Sequence, residues 1–135
     1  GRKSDRQFTV PLTDVVLGYF AELKLLAGLS KFVLPIQKLM KGKEGDGHMR
    51  QQTINNILNR LCADLKGKVR PFTPHDLRST ARSHLSVLGV NVVVAERCLN
   101  HSLGGLLAVY EVHDYLDERR NALELWSAKL AILEK

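Results

Sequence analysis

Apolar residues recur every three or four positions along most of this chain, the spacing of helices with one apolar face. The spacing predicts helices at about 15–26, 51–65, 73–88, 91–99 and 103–110, and from about 114 onward. The apolar positions expected to be buried are Val16, Tyr19, Phe20, Leu23 and Leu26 in the first helix, Ile54, Ile57, Leu58, Leu61 and Leu65 in the second, and Leu116, Leu123, Trp126, Leu130 and Leu133 in the last.

Polar residues mark where several of these helices begin. Thr73, Asn91 and Asp114 are the predicted N-caps, because their short side chains can accept hydrogen bonds from the first backbone N–H groups of a helix. Pro74 suits the first helical position, and Asp76, three residues after Thr73, is typical of a capping box.

Two short stretches near the amino terminus depart from the helical pattern. Residues 6–12 are predicted to form an edge strand that ends at Pro11, and residues 32–35 a second extended piece. The glycine-rich residues 40–48 are predicted to be a loop. The expected fold class is therefore mainly α (α+β), with a small antiparallel β element near the amino terminus.

Composition excludes several classes of protein. At 135 residues and 44% apolar, the chain can bury a core and is expected to be one domain. No apolar run approaches the roughly 18 residues of a membrane span, so no membrane partner is expected. Cys62 and Cys98 show no metal or redox spacing, which favours free thiols in a cytoplasmic protein.

Positive charge is concentrated in the first part of the chain. Residues 1–82 hold 15 Lys and Arg against 7 Asp and Glu, a balance of +8, whereas residues 83–135 hold 5 against 7, a balance of −2. A basic surface suits the phosphate backbone of DNA or RNA, and a solvated basic surface without a partner is the alternative. Aromatic residues make up only 6% of the chain, which argues against a stacking platform for single strands.

Four residues able to carry out phosphoryl transfer follow one another in a defined order. His75 and Arg78 are three residues apart on a predicted helix, so both share one face. His101 lies 26 positions after His75, and Tyr110 lies nine after His101. A guanidinium and imidazoles can hold a phosphate, and a phenol can attack it. The competing tyrosine, Tyr115, is predicted to pack in the first turn of the last helix.

Purely structural roles for these residues remain possible from the sequence alone. Arg78 can instead pair with a carboxylate such as Asp76 or Glu96, and His101 can be purely structural. No cluster of carboxylates and histidines suggests a metal, and no cofactor is expected.

The order of these residues resembles the tyrosine recombinases, the phage integrase family. The resemblance rests on HDLRSTARSHL, which carries His75 and Arg78, on the LNH that ends at His101, and on Tyr110 nine residues later. It extends to the tail YLDERRNALELWSAKL and to Lys3 in KSDRQFTVPL, which looks like the hairpin that bears the family's catalytic lysine.

The resemblance implies site-specific DNA recombination and integration through a covalent 3′-phosphotyrosine. Tyr110 is then the nucleophile, Arg78 and His101 donate to the phosphate, and His75 relays a proton. Lys3 protonates the departing 5′ oxygen. The expected partners are a double-stranded recombination site and other protomers of a synaptic complex, in the cytoplasm of a bacterial host.

The family has another catalytic Arg and DNA-gripping domains upstream of the lysine hairpin, and this sequence does not contain them. Residues 1–135 are therefore expected to be the carboxy-terminal part of an integrase catalytic domain that is catalytically incomplete by itself.

Two rival functions remain. A helix that ends at Gly89, followed by another from Asn91, superficially resembles a helix-turn-helix, which would make the chain a helical DNA-binding module without catalysis. The bulky Leu85 lies where such a motif normally has a small residue. The second rival is a structural or regulatory helical domain. Neither explains the order of the four phosphoryl-transfer residues.

Overall fold

The computed structural model describes residues 8–36, 47–101 and 113–134. The described residues form helices α1 (Asp14–Ala27), α2 (Gln51–Asp64), α3 (Pro74–Val87), α4 (Val92–Cys98) and α5 (Leu116–Leu133). The mainly helical prediction is confirmed, while the predicted helix at 103–110 lies outside the described residues. None of the described helices is both long enough and apolar enough to cross a bilayer.

The chain divides into two compact units. Residues 14–77 form one unit, and residues 1–13 with 78–135 form the other, so the division falls within α3. The first unit contains α1, α2 and the opening turn of α3, and the second contains the rest of α3 with α4 and α5.

The unit of residues 14–77 buries little apolar surface. Helix α1 has no buried residue, and α2 buries only Cys62. The predicted buried faces of these helices are therefore wrong: Tyr19 is 48% exposed and Ile57 52% exposed. Helical spacing identifies which residues share a face, but burial requires another element to cover that face.

Between α1 and α2, the chain forms one isolated antiparallel bridge, between Pro35 and His48. The backbone N–H of Ile36 donates to the carbonyl of Gly47 at 2.8 Å, and that of Met49 donates to the carbonyl of Leu34 at 2.7 Å. This single bridge is what the structure shows of the extended piece predicted at residues 32–35.

The predicted strand at residues 6–12 is not confirmed. Residues 8–13 are irregular, and residues 6 and 7 lie outside the described part of the chain. The carbonyl of Thr9 accepts a hydrogen bond from the Arg119 guanidinium, and the Thr13 hydroxyl lies 3.0 Å from that of Ser127. Side chains of α5, rather than a partner strand, therefore hold this segment.

The core of the second unit lies where α3, α4 and α5 meet. Its buried members are Leu85, Val94, Ala95, Cys98 and Ala122, and the partly buried residues packed against them are Val90, Tyr115, Leu123 and Trp126. Trp126 also stacks on the His84 ring, with the ring centroids 5.1 Å apart. Cys98 is a free thiol whose pKa is raised by burial, as expected for an inert core cysteine.

Helix α3 ends in a Schellman motif that fixes the direction of the chain into α4. Gly89 adopts a left-handed backbone with φ of 79°. Its N–H donates to the carbonyl of Ser86 at 3.0 Å, and the N–H of Val90 donates to the carbonyl of Leu85 at 3.0 Å. Asn91 then caps α4 as predicted, with its side chain accepting from the N–H of Val93 at 2.8 Å.

Helix α5 begins one residue later than predicted, and only part of its predicted seam packs against the core: Leu123 and Trp126 do. Its N-cap is Tyr115, in a left-handed conformation, while the Asp114 carboxylate binds the buried guanidinium of Arg119. The buried residues of α5 are Arg119 and Ala122, whereas Leu133 of the predicted seam is 67% exposed. Burial of a charged arginine is costly unless it is paired, and Arg119 is paired with Asp114 and with the carbonyl of Thr9.

Replacement of Gly89 by alanine tests the left-handed turn. A Cβ at this φ costs about 1 kcal/mol although no atom lies within 4 Å of its position, so Gly89→Ala is expected to lower the free energy of unfolding. The matched control is Gly18→Ala, inside α1, where space is also open and alanine is expected to stabilise by about 0.5–1 kcal/mol. Urea denaturation measures both, and a stabilising Gly89→Ala would contradict the assignment.

Candidate active site

Two of the residues predicted to bind phosphate meet in the second unit. Arg78 lies on α3, and His101 follows α4, 23 residues later. The Nε of Arg78 lies 3.2 Å from the Nε2 of His101. Both side chains are partly buried, and that of His101 is 39% exposed, which leaves the pair accessible from solvent.

The other ring nitrogen of His101 is held by a carboxylate. Its Nδ1 lies 2.5 Å from Oε2 of Glu96, and Oε1 of the same carboxylate accepts from Nε of Arg82 at 2.7 Å. Arg82 also donates to the Ser86 hydroxyl at 2.6 Å. We call the resulting chain of contacts the α3–α4 network; its members are Arg78, His101, Glu96 and Arg82.

The donors and acceptors of the α3–α4 network define the tautomer of His101. A guanidinium has donors only, so Nε2 of His101 accepts from Arg78 and carries no hydrogen in this arrangement. Nδ1 therefore carries the hydrogen and donates it to Glu96.

The residue before His101 must adopt an unusual backbone conformation, which explains why it is asparagine. Asn100 is in the left-handed region with φ of 52° and forms the turn that ends α4. Its N–H donates to the carbonyl of Arg97 at 3.1 Å, and the N–H of His101 donates to the carbonyl of Glu96 at 3.0 Å, the pair of bonds of a Schellman motif. Glycine and asparagine adopt this backbone at less cost than most other residues, which gives the LNH motif a physical basis.

The environment of Glu96 keeps its carboxylate ionised. The pKa of Glu96 is lowered, first by the hydrogen bond from Arg82 and then by that from His101, and burial opposes this shift. The site thus contains one anion among two arginines and a histidine.

The alternative pairing of Arg78 with a carboxylate is not what the described residues show. Glu96 binds Arg82 and His101 instead. Asp76 accepts from the backbone N–H and hydroxyl of Thr73, at 2.8 and 2.7 Å, and forms the predicted capping box of α3. These bonds also lower the pKa of Asp76.

Of the remaining three predicted site residues, only His75 lies in the described part of the chain. His75 is exposed in the first turn of α3, while Lys3 and Tyr110 lie outside the described residues. Tyr115 packs against the core, as predicted for the competing tyrosine. Among the described residues, no group of three or more His, Cys, Asp and Glu side chains is arranged to hold a metal ion.

Sequence reasoning missed the part played by Glu96 and Arg82. The sequence suggests Glu96 as a carboxylate partner for Arg78, and the predictions include no contact between Glu96 and His101 and no role for Arg82. The sequence contains one local signal for this contact. Glu96 lies five residues before His101, and Asn100 lies between them at the end of a helix. A Schellman turn at Asn100 brings Glu96 and His101 together.

Substitution of Asn100 tests the turn that presents His101. Asn100→Gly is expected to keep the free energy of unfolding within about 0.5 kcal/mol, because glycine adopts positive φ freely. Asn100→Val is expected to lose about 1–2 kcal/mol, because a β-branched residue is strained there. Chemical denaturation of the two variants makes the comparison; equal stabilities would refute the role of the left-handed backbone.

Low pH is expected to lower the stability of the unit that contains α4 and α5, because it protonates the Glu96 carboxylate. Because its folded-state pKa lies below the ordinary 4.5, its contribution to stability is complete above that pH and is lost as pH falls through the folded pKa. Thermal unfolding between pH 7 and pH 3 is therefore expected to show a smaller acid-induced fall in Tm for Glu96→Gln than for the parent chain. Glu124→Gln, at an exposed position of α5, is the control and should retain the full fall.

Comparison with known proteins identifies the family. The sequence model of the phage integrase family matches residues 2–116. The chain is 32% identical over 126 residues to the prophage integrase IntA of Escherichia coli (strain K12), and the alignment covers 93% of this chain but only 28% of that protein. No solved structure matches the chain at a significant level. With the predicted residues Arg78 and His101 adjacent in the fold and the family model covering most of its length, the chain belongs to the phage integrase family.

Proposed function

We propose that this chain is the carboxy-terminal part of the catalytic domain of a tyrosine recombinase, which cuts and rejoins double-stranded DNA through a covalent 3′-phosphotyrosine. The observation that carries the proposal is the contact between Arg78 and His101, two residues 23 positions apart that the sequence had already selected as phosphate donors. Membership of the phage integrase family supports the same chemistry.

Arg78 and His101 would hold the scissile phosphate. Phosphoryl transfer builds negative charge on the non-bridging oxygens, and a guanidinium and an imidazole N–H are suitable donors to them. Removal of one preorganised donor of this kind typically slows a reaction by about 10²–10³. The adjacency of the two side chains supplies the preorganisation.

Tyr110 would be the nucleophile. Its phenolic oxygen forms the bond to phosphorus, the bond from phosphorus to the 5′ oxygen breaks, and that oxygen leaves with a proton from Lys3. His75, in the first turn of α3, would relay the tyrosine proton. Rejoining is the reverse reaction, and the phosphotyrosyl bond retains the energy that it needs, so neither ATP nor a metal is required.

Duplex DNA is the proposed partner, together with further protomers that would assemble on it. Residues 1–82 carry the excess of positive charge, a balance of +8, that suits a phosphate backbone. The prophage integrase to which the chain is similar is more than three times as long as the aligned region. Recognition of a specific DNA site is therefore proposed for the whole protein and not for these 135 residues.

The rival helix-turn-helix reading has less support. Helix α4 has seven residues, and Val94, Ala95 and Cys98 among them are buried in the core. A recognition helix must present a face to the major groove, and a helix this short with three buried positions offers few side chains for that purpose.

An activated phosphodiester tests the proposed chemistry without knowledge of the DNA site. The full-length protein is used, because residues 1–135 are expected to be catalytically incomplete by themselves. With thymidine 3′-(4-nitrophenyl phosphate), Tyr110 would attack phosphorus and 4-nitrophenolate would leave without needing a proton from Lys3. Mass spectrometry is expected to find the thymidine 3′-phosphoryl group on Tyr110, and Arg78→Ala is expected to slow its formation about 10²–10³-fold.

Two controls make the result decisive. Tyr110→Phe should abolish the adduct, and Arg120→Ala, at an exposed position of α5, should leave the rate unchanged. A full-length protein that forms no adduct, or an adduct that survives Tyr110→Phe, would overturn the proposed mechanism.

A further inference from the structure

We propose that Glu96 is a positioning residue for His101: its carboxylate holds the Nδ1–H of the imidazole, directs Nε2 toward the phosphate, and stabilises the imidazolium that donates to it. The inference rests on the proposed function, because it assigns His101 the task of donating to a phosphate oxygen. Glu96 itself would touch neither phosphate nor nucleophile.

Glu96 holds His101 at two points. The carbonyl of Glu96 accepts from the backbone N–H of His101 at 3.0 Å, and the carboxylate lies 2.5 Å from Nδ1 of the ring. The backbone bond places the residue and the carboxylate orients its ring. Substitution of the Glu96 side chain removes only the second contact, so the two effects are separable.

The contact between Arg78 and His101 shows why a carboxylate is needed. Without DNA, Nε2 of His101 accepts the hydrogen of Arg78 Nε, so two groups proposed to donate to a phosphate share one hydrogen. For both to donate, the Arg78 N–H must turn to the phosphate and Nε2 must gain a proton. Phosphate binding would therefore convert His101 from an acceptor into an imidazolium.

An imidazolium at this position has unfavourable neighbours unless an anion is present. Arg78 and Arg82 face it from α3, and Glu96 on α4 is the only acidic member of the α3–α4 network. The carboxylate therefore offsets the repulsion from the two guanidinium groups and keeps Nδ1 as a donor in both states of the ring. A neutral amide at position 96 would keep the size of the side chain and lose this charge.

Arg82 provides a matched structural control. It binds the other oxygen of the Glu96 carboxylate, so Arg82→Gln weakens the attachment of α4 to α3 and leaves the contact between Glu96 and His101 in place. If Glu96 were merely a brace between the helices, Arg82→Gln and Glu96→Gln would have equal effects.

The first experiment reads the tautomer directly, in the 135-residue chain without DNA. The ¹⁵N chemical shifts of the two ring nitrogens of His101 distinguish a protonated from an unprotonated nitrogen. The hydrogen is expected on Nδ1 in the parent chain and in Arg82→Gln, and Glu96→Gln is expected to give a mixture of tautomers. A hydrogen on Nε2 in the parent chain, or no change in Glu96→Gln, would overturn the inference.

The second experiment measures adduct formation on Tyr110 from thymidine 3′-(4-nitrophenyl phosphate) in the full-length protein as a function of pH. Glu96→Gln is expected to slow it about 10–100-fold, by analogy with the loss of the carboxylate that orients a metal-bound histidine. The rate of Glu96→Gln is expected to need lower pH to approach that of the parent chain, whereas Glu96→Asp, which keeps the charge, should recover part of the rate. Arg82→Gln should lose less, and Glu124→Gln nothing.

The two readouts separate the possible failures. If the full-length parent protein forms no adduct, the proposed function fails, while the tautomer still shows whether Glu96 orients His101. If the parent chain reacts and Glu96→Gln reacts equally fast with the same pH profile, the positioning role fails and the proposed function stands.

Discussion

The geometry of the candidate site depends on the Glu96 carboxylate, which pairs with Arg82 on α3 through one oxygen and contacts His101 through the other. The Arg82 and Glu96 side chains are 22% and 25% exposed and their charged atoms are 2.7 Å apart, so water screens them less than an exposed pair. Glu96 is also the residue that His101 contacts through both its backbone and its ring. Glu96 therefore joins the two helices through Arg82 and, by separate contacts, holds His101 beside Arg78. The left-handed residues Gly89 and Asn100 set the direction of the chain at the ends of α3 and α4.

A second set of polar contacts, made by Arg119, joins α5 to residues 8–13 in the same unit. The Arg119 guanidinium is fully buried, donates to the carboxylate and carbonyl of Asp114 and to the carbonyl of Thr9, and lies 4.5 Å from the centre of the Phe8 ring. Its Nε has no hydrogen-bond partner among the described residues. Arg119 therefore holds Thr9 against α5. In the sequence, Thr9 follows Lys3, the proposed proton donor, by six residues.

The contact between Arg78 and His101 is compatible with the proposed binding of phosphate. One hydrogen is shared between Nε of Arg78 and Nε2 of His101, so these two atoms are hydrogen-bonded in the structure without DNA. A phosphate would break this contact and offer acceptors to both. The cost of separating two basic groups is lower than that of breaking a salt bridge with a carboxylate, which is a physical reason for the proposed phosphate ligands to be paired with each other.

The sequence by itself determined the features that depend on neighbouring residues: the helical pattern, the capping box at Thr73, the caps at Gly89 and Asn91, and the spacing of the phosphoryl-transfer residues. These follow from backbone preferences and from hydrogen bonds that span a few positions. Only the tertiary structure decided which faces are buried and which partners distant side chains find. The contacts of Arg78 with His101, of Arg82 with Glu96 and of Arg119 with Thr9 join residues 23, 14 and 110 positions apart. Such pairs form because the packing of helices brings the side chains together, and a pattern of local spacing contains no information about that packing.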